Sequence, residues 1–183
     1  MGLKSKIVWG AIALATVAGT WGGNGEGSLS PVYNKKVGNS YGISIGLYNE
    51  LMHGAKHYGL SIGLLNKINE NAELDGISVG LLNGNDGQIN GINASVFANL
   101  QARGSFDPKG VGEVNGLEVA IGGNCPGGSG APQYYPTRVN GLQVSVIGNN
   151  ASGNVFQVGL FNRNKSEEGK DEKESYLINW RFD

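Results

Sequence analysis

The chain has 183 residues, 32 of them glycine, with charged residues at 16% and a formal net charge of -1. That composition suits one elongated, turn-rich β domain with a sizeable core, and with no Lys/Arg-rich stripe it lacks the electrostatic term that dominates nucleic-acid binding, so nucleic acid is not expected as a partner. A single cysteine, Cys125, excludes an intramolecular disulfide framework and any Cys-rich zinc site, and reads as an incidental loop thiol.

In chain order, residues 1–18 come first. Lys4 and Lys6 precede an apolar run from Ile7 to Val17, and the small residues Ala18 and Gly19 follow. This basic, hydrophobic, small-residue order is that of a secretory signal peptide, with cleavage expected after Ala18. The run falls short of the about 20 apolar residues that span a bilayer. Without cleavage the same segment would be an N-terminal apolar helix. No cysteine near the cleavage point supports a lipoprotein anchor. Residues 19–40, rich in Gly, Asn and Ser, read as an irregular lead-in.

A repeat then dominates residues 41–162. The phrase Gly-apolar-x-apolar-Gly-Leu-x-Asn occurs at Gly42–Asn49, Gly59–Asn66 and Gly76–Asn83, spaced 17 residues apart. Degenerate copies end at Asn99, Asn124, Asn149 and Asn162, the last with Val155 in place of the leading glycine. Apolar residues within each copy alternate with period 2, the mark of a β-strand. Ile43, Ile45 and Leu47, with their equivalents Leu60, Ile62 and Leu64, are therefore expected to form the core face. Ser44 and Gly46, like Ser61 with Gly63 and Ser78 with Gly80, would form a thin outer face. Asn/Asp-Gly pairs open several copies, as at Asp75-Gly76 and Asn115-Gly116, and suit positive φ.

Two all-β architectures accommodate this pattern. In a parallel β-solenoid of about seven coils, each repeat is one coil stacked about 4.8 Å from the next, with the closing asparagines in an amide ladder along one corner. In an antiparallel β-barrel the asparagines would alternate between the two ends of the sheet. Connections longer than the two to five residues of tight hairpins favour the solenoid.

Two insertions, about residues 101–114 and 125–139, interrupt the spacing. The second holds Pro126, Pro132, Pro136 and the adjacent aromatics Tyr134 and Tyr135, a candidate binding pair that could stack on a sugar ring or pack into a partner. Residues 163–183 form a charged loop and a terminal strand. Tyr176, Ile178, Trp180 and Phe182 alternate there, as in the last strand of a membrane barrel or in a strand capping the last coil.

Chemistry is sparse. Glu50, His53 and His57 are close in sequence, but Gly54 interrupts them and a solvated turn is the simpler reading. Gly84-Asn85-Asp86-Gly87 is a single copy of a calcium-loop-like fragment, which needs stacked copies to complete an oxygen shell. Glu70, Glu73, Asp75 and Asp86 could share an edge, as the acids of polysaccharide-acting enzymes do, or simply face solvent. No catalytic residue, metal site or cofactor is expected.

Tandem Gly-Leu-x-Ile/Val-Gly-Leu-x-Asn units behind a signal peptide resemble the bacterial surface repeat-containing proteins, over about two thirds of the chain and most strongly in the first three units. The resemblance implies an exported, non-enzymatic protein at the cell surface, outer membrane or outside the cell. On this reading the protein is structural or adhesive, and either self-associates or contacts a glycan or envelope component. Its alternatives are an outer-membrane barrel and an enzyme acting on polysaccharide.

Overall fold

The computed structural model describes residues 32–102, 112–127, 138–165 and 172–182. The expected leader, residues 1–18, lies outside them, as do Tyr134 and Tyr135. Eleven strands make one sheet: β1 (Tyr33–Lys36), β2 (Asn39–Leu51), β3 (Lys56–Ile68), β4 (Glu73–Asn85), β5 (Gln88–Ala102), β6 (Glu113–Ala120), β7 (Gly123–Gly127), β8 (Arg138–Ser145), β9 (Gly148–Ser152), β10 (Val155–Lys165) and β11 (Glu172–Arg181). Every pairing among β1 to β10 is parallel, and repeat falls on repeat in register. Gly42 pairs with Gly59, Gly59 with Gly76, and Asn49 with Asn66. The chain is a β-solenoid, and the antiparallel barrel is excluded because its defining pairings do not occur between successive repeats.

Each long strand supplies two faces of one coil. Pairing lapses at Leu47, Leu64 and Leu81, where the strand turns a corner. Residues before the corner stack into a first face, continued by β6, β8 and the start of β10. Residues after it stack into a second, which begins with β1 and continues through β7, β9 and the rest of β10. β11 then lies antiparallel along β10 and bends at Leu177, whose φ of 69° marks the same corner. This reversed strand covers the parallel edge of the last coil.

The leading glycine of each repeat is required by close approach. Gly59, Gly76, Gly91, Gly116 and Gly141 have φ between 137 and 150°, and a Cβ on each would meet the preceding coil's glycine carbonyl oxygen at 2.0 to 2.2 Å. One glycine therefore demands the next. Side-chain direction along the strands is opposite to the expectation from alternation. Ile43, Ile45, Leu47, Leu64, Ile77 and Val79 are exposed, whereas Ser44, Ser61, Ser78 and the repeat asparagines are buried. The apolar core is a narrower column at the far end of the coil section: Leu74, Ile89, Val114 and Val139 on the first face, against Leu51, Ile68 and Ala151 on the second, with Ala55 and Ala72 closing turns.

The reason for the inversion is the polar lining of the coil near the corner. The asparagine amides on the second face bond directly to main-chain carbonyls of the first, and the inward positions beside them are held by residues that leave room for those amides or join the hydrogen bonding, Gly63 and Gly80, then Asn93, Glu118 and Gln143. A period of 2 states that two faces differ without saying which is inside, and a change of parity moves every side chain to the other side.

Candidate functional surface

The interior is built around amides. Asn34 Nδ2 donates to Asn49 Oδ1 at 2.7 Å, Asn49 to Asn66 at 2.8 Å, Asn66 to Asn83 at 3.0 Å and Asn83 to Asn99 at 3.2 Å. Asn99 donates to Asn124 at 2.8 Å, Asn124 to Asn149 at 2.7 Å and Asn149 to Asn162 at 2.8 Å. The second amide proton of each crosses to the first face, as from Asn49 to the Ile62 carbonyl and from Asn66 to the Val79 carbonyl, both at 2.8 Å. Each side chain thus ties its coil to the next and one face to the other. Asparagine suits this position because one short, neutral group offers two donors and an acceptor with two lone pairs.

The second glycine of the repeat is part of the same device. A Cβ on Gly63 would lie 2.7 Å from both Asn49 Nδ2 and Asn66 Oδ1, and one on Gly80 would lie 2.4 Å from Asn83 Oδ1. Gly46 pairs with Gly63 in the same inward column. These glycines therefore point inward, and the expectation that Gly46, Gly63 and Gly80 form a thin outer face with Ser44, Ser61 and Ser78 is overturned. Where later repeats carry Ser95, Ala120 or Ser145 in this column, the register is irregular between Gly80 and Leu82 as β5 is entered, and one extra residue is accommodated.

A second buried polar column lies beside the first. Ser44, Ser61 and Ser78 give way to Asn93, Glu118, Gln143, Gln157 and Asn179. Asn93 Nδ2 donates to Glu118 Oε1 at 3.2 Å and Gln143 Nε2 donates to Glu118 Oε2 at 2.7 Å. Gln157 donates to Gln143 at 2.9 Å and Asn179 to Gln157 at 3.1 Å. Hydrogen-bond direction converges on Glu118 from both ends, which a carboxylate, with acceptors on both oxygens, satisfies. Alternation of apolar residues did not reveal this column, because its members change identity along the chain. For Asn93, Glu118 and Gln143 the shared offset of two residues from the leading glycine, matched by Gln157 after Val155, is the signal that would have found it; Asn179, on the reversed strand, carries no such signal.

Titratable groups that were adjacent in sequence are separated by the fold. His57 points inward and is buried, with Lys36 Nζ 2.9 Å from its Nδ1 and Ser40 Oγ 3.0 Å from the same nitrogen. Burial, reinforced by the Lys36 charge, lowers the His57 pKa to about 4, and burial lowers that of Lys36 to about 8. His53 lies exposed in a turn, and Glu50 faces outward, where it accepts hydrogen bonds from Tyr33 and Asn69. The three do not converge. Among the described residues no cluster of His, Cys, Asp and Glu could hold a metal. Asp75 and Glu73 both accept from Asn90 Nδ2, at 2.6 and 3.0 Å, while Asp86 lies in the turn after β4 with its pKa raised to about 6 by burial.

What remains available to a partner is the outside. On the first face the register stacks Ile43, Leu60, Ile77, Ile92, Leu117, Leu142, Phe156 and Trp180 into one row, with Ile45, Ile62, Val79, Ala94, Val119, Val144, Val158 and Ile178 beside it. The corner adds Leu47, Leu64, Val96, Ile121, Val146 and Leu160, all exposed. No charged residue interrupts the two rows. Both insertions leave from the edge opposite this corner, between β5 and β6 and between β7 and β8, where the short turns after β2 and β3 also lie.

Comparison with family models, with curated proteins and with solved structures finds no match for this chain.

Proposed function

We propose that this is an exported, non-enzymatic structural repeat protein that acts through its outer surface, as its resemblance to bacterial surface repeat-containing proteins implies. The observation that carries the reading is the unbroken amide ladder from Asn34 to Asn162, which places one of the most demanding polar groups of every repeat inside the coil. Such a ladder fixes spacing and straightness along the axis while offering nothing to a substrate. A scaffold of this kind presents the same outer pattern at every coil, which is what a structural or adhesive role requires. The test is intact mass combined with fractionation of the producing cell. A chain lacking residues 1–18, found in the envelope or the medium, supports the reading; an uncleaved chain confined to the cell interior overturns export.

A further inference from the structure

We propose that the aliphatic first face is a self-association surface, whose occupant is the same face of a second copy of this chain. The proposal deepens the structural reading above and rests on it.

Three observations select this occupant. The first is size. The two rows run over eight paired strands, about 34 Å at 4.8 Å per strand, and with the corner row the strip is about 13 Å wide. Its flat footprint of about 450 Å² is within the range of the largest single apolar patch on a typical monomer, and a pleated surface presents more accessible area than its footprint. The footprint alone is a little over half of the about 800 Å² per partner of a standard interface, so the pleated relief and the rim must supply the rest. Ile43 is 49%, Val79 39% and Trp180 53% exposed and the corner residues Leu64, Val146 and Leu160 are 50 to 57% exposed, while the two rows from Ile92 to Val158 are half-buried.

The second observation is charge. The strip is bordered on the side away from the corner by Tyr41, Tyr58, Asp75, Asn90, Asn115 and Asn140. Asn115 donates to Asn90 at 3.0 Å and Asn140 to Asn115 at 2.9 Å, forming an outer amide row. An apolar centre with a polar rim, here carrying the single charge of Asp75, is the anatomy of a protein interface. Segments that lie on membrane surfaces instead border their apolar face with Lys and Arg, which attract anionic lipid. This border has none.

The third is spacing. In-register parallel strands give every row the same repeat distance, so the ridges of one copy match the grooves of another over the full length. Face-to-face sheets pack about 10 Å apart on such a match. Because the same patch would serve both partners, the contact closes on itself around a two-fold axis and stops at a dimer.

The test is sedimentation equilibrium of the full chain without detergent, beside an Ile62→Glu/Val144→Glu double variant. Both side chains point outward, so the variant should retain the wild-type circular dichroism and thermal transition. Wild type should sediment as a dimer, twice the 19.1 kDa chain mass, and the variant as a monomer with a dissociation constant raised at least about 100-fold. A Lys67→Glu control on the second face should remain dimeric. Wild-type monomer overturns the proposal, as does a dimer that the double variant leaves intact. Monomers that float with phosphatidylcholine vesicles overturn it in favour of lipid. The structural reading is judged separately by fractionation: a monomer retained in the envelope ends the dimer alone, whereas an intracellular monomer ends both.

Discussion

Replacing Asn66 with alanine tests whether the ladder holds the coils together. Asn66 makes four hydrogen bonds: it donates to the Val79 carbonyl at 2.8 Å and to Asn83 Oδ1 at 3.0 Å, and accepts from Asn49 Nδ2 at 2.8 Å and Ser61 Oγ at 3.3 Å. All lie in a region from which water is excluded, since Asn66 is 3% exposed. At about 1 kcal/mol for each bond lost, and more for a partner left buried and unsatisfied, Asn66→Ala should destabilise by about 4 kcal/mol. That is a large fraction of the 5–15 kcal/mol typical of a folded domain. Asn162, at the end of the ladder, makes two such bonds, donating to the Gly159 carbonyl at 2.9 Å and accepting from Asn149 Nδ2 at 2.8 Å. Asn162→Ala should therefore cost about half as much. Asn66→Asp removes both donors and sets a carboxylate oxygen against two other acceptors, so its folded-state pKa rises above the unfolded value. Its stability should accordingly improve as pH falls, when a protonated acid regains one donor. Urea unfolding followed by far-ultraviolet circular dichroism measures all three. Equal losses for Asn162→Ala and Asn66→Ala, or a loss below about 1 kcal/mol for Asn66→Ala, would refute the ladder as a principal source of stability.

Three further outcomes follow from the same geometry. Gly59→Ala, with φ +144° and a Cβ 2.0 Å from the Gly42 carbonyl oxygen, should destabilise by more than about 3 kcal/mol, whereas Gly54→Ala, at φ +72° in open space, should cost about 1 kcal/mol; similar values in urea unfolding would contradict the close-approach reading. His57, its pKa lowered from 6.5 to about 4 by burial and then by Lys36, binds protons more readily when unfolded, so it withdraws stability as pH falls from about 6.5 toward 4. His57→Leu should remove that part of the acid-side loss, and identical pH slopes for the two proteins would refute it. Asp86 has its pKa raised from 3.8 to about 6, chiefly by burial, and its Oδ1 is buried without a partner, so the folded state loses stability as pH rises through that window. Asp86→Asn should be stabilised above pH 6, an advantage that fades below about pH 4; a difference that does not vary with pH would contradict this.

The interval of 17 residues between Gly42, Gly59 and Gly76 was enough to predict coils, because equal spacing of identical phrases lets each fall in register on the next. The closing asparagines were legible for the same reason: an amide repeated at coil spacing can bond to its own image. Alternation also placed Ile43 and Ser44 on opposite sides. Which side is interior was not legible, since the hydrophobic effect by itself assigns Ile and Leu to the core, and only the cross-coil hydrogen bonding shows that the amides take that place. Asparagine amides reach across to carbonyls such as that of Ile62, with Gly63 leaving room for them. The Asn93, Glu118, Gln143, Gln157 and Asn179 column was hidden because its members share a position and not an identity. Sequence alone thus determined the β-repeat, its period and the recurrence of its asparagine, through local strand alternation and repetition, and favoured the coil over a barrel. Tertiary structure decided what lies inside, because burial is a property of two faces brought together and no single strand contains it.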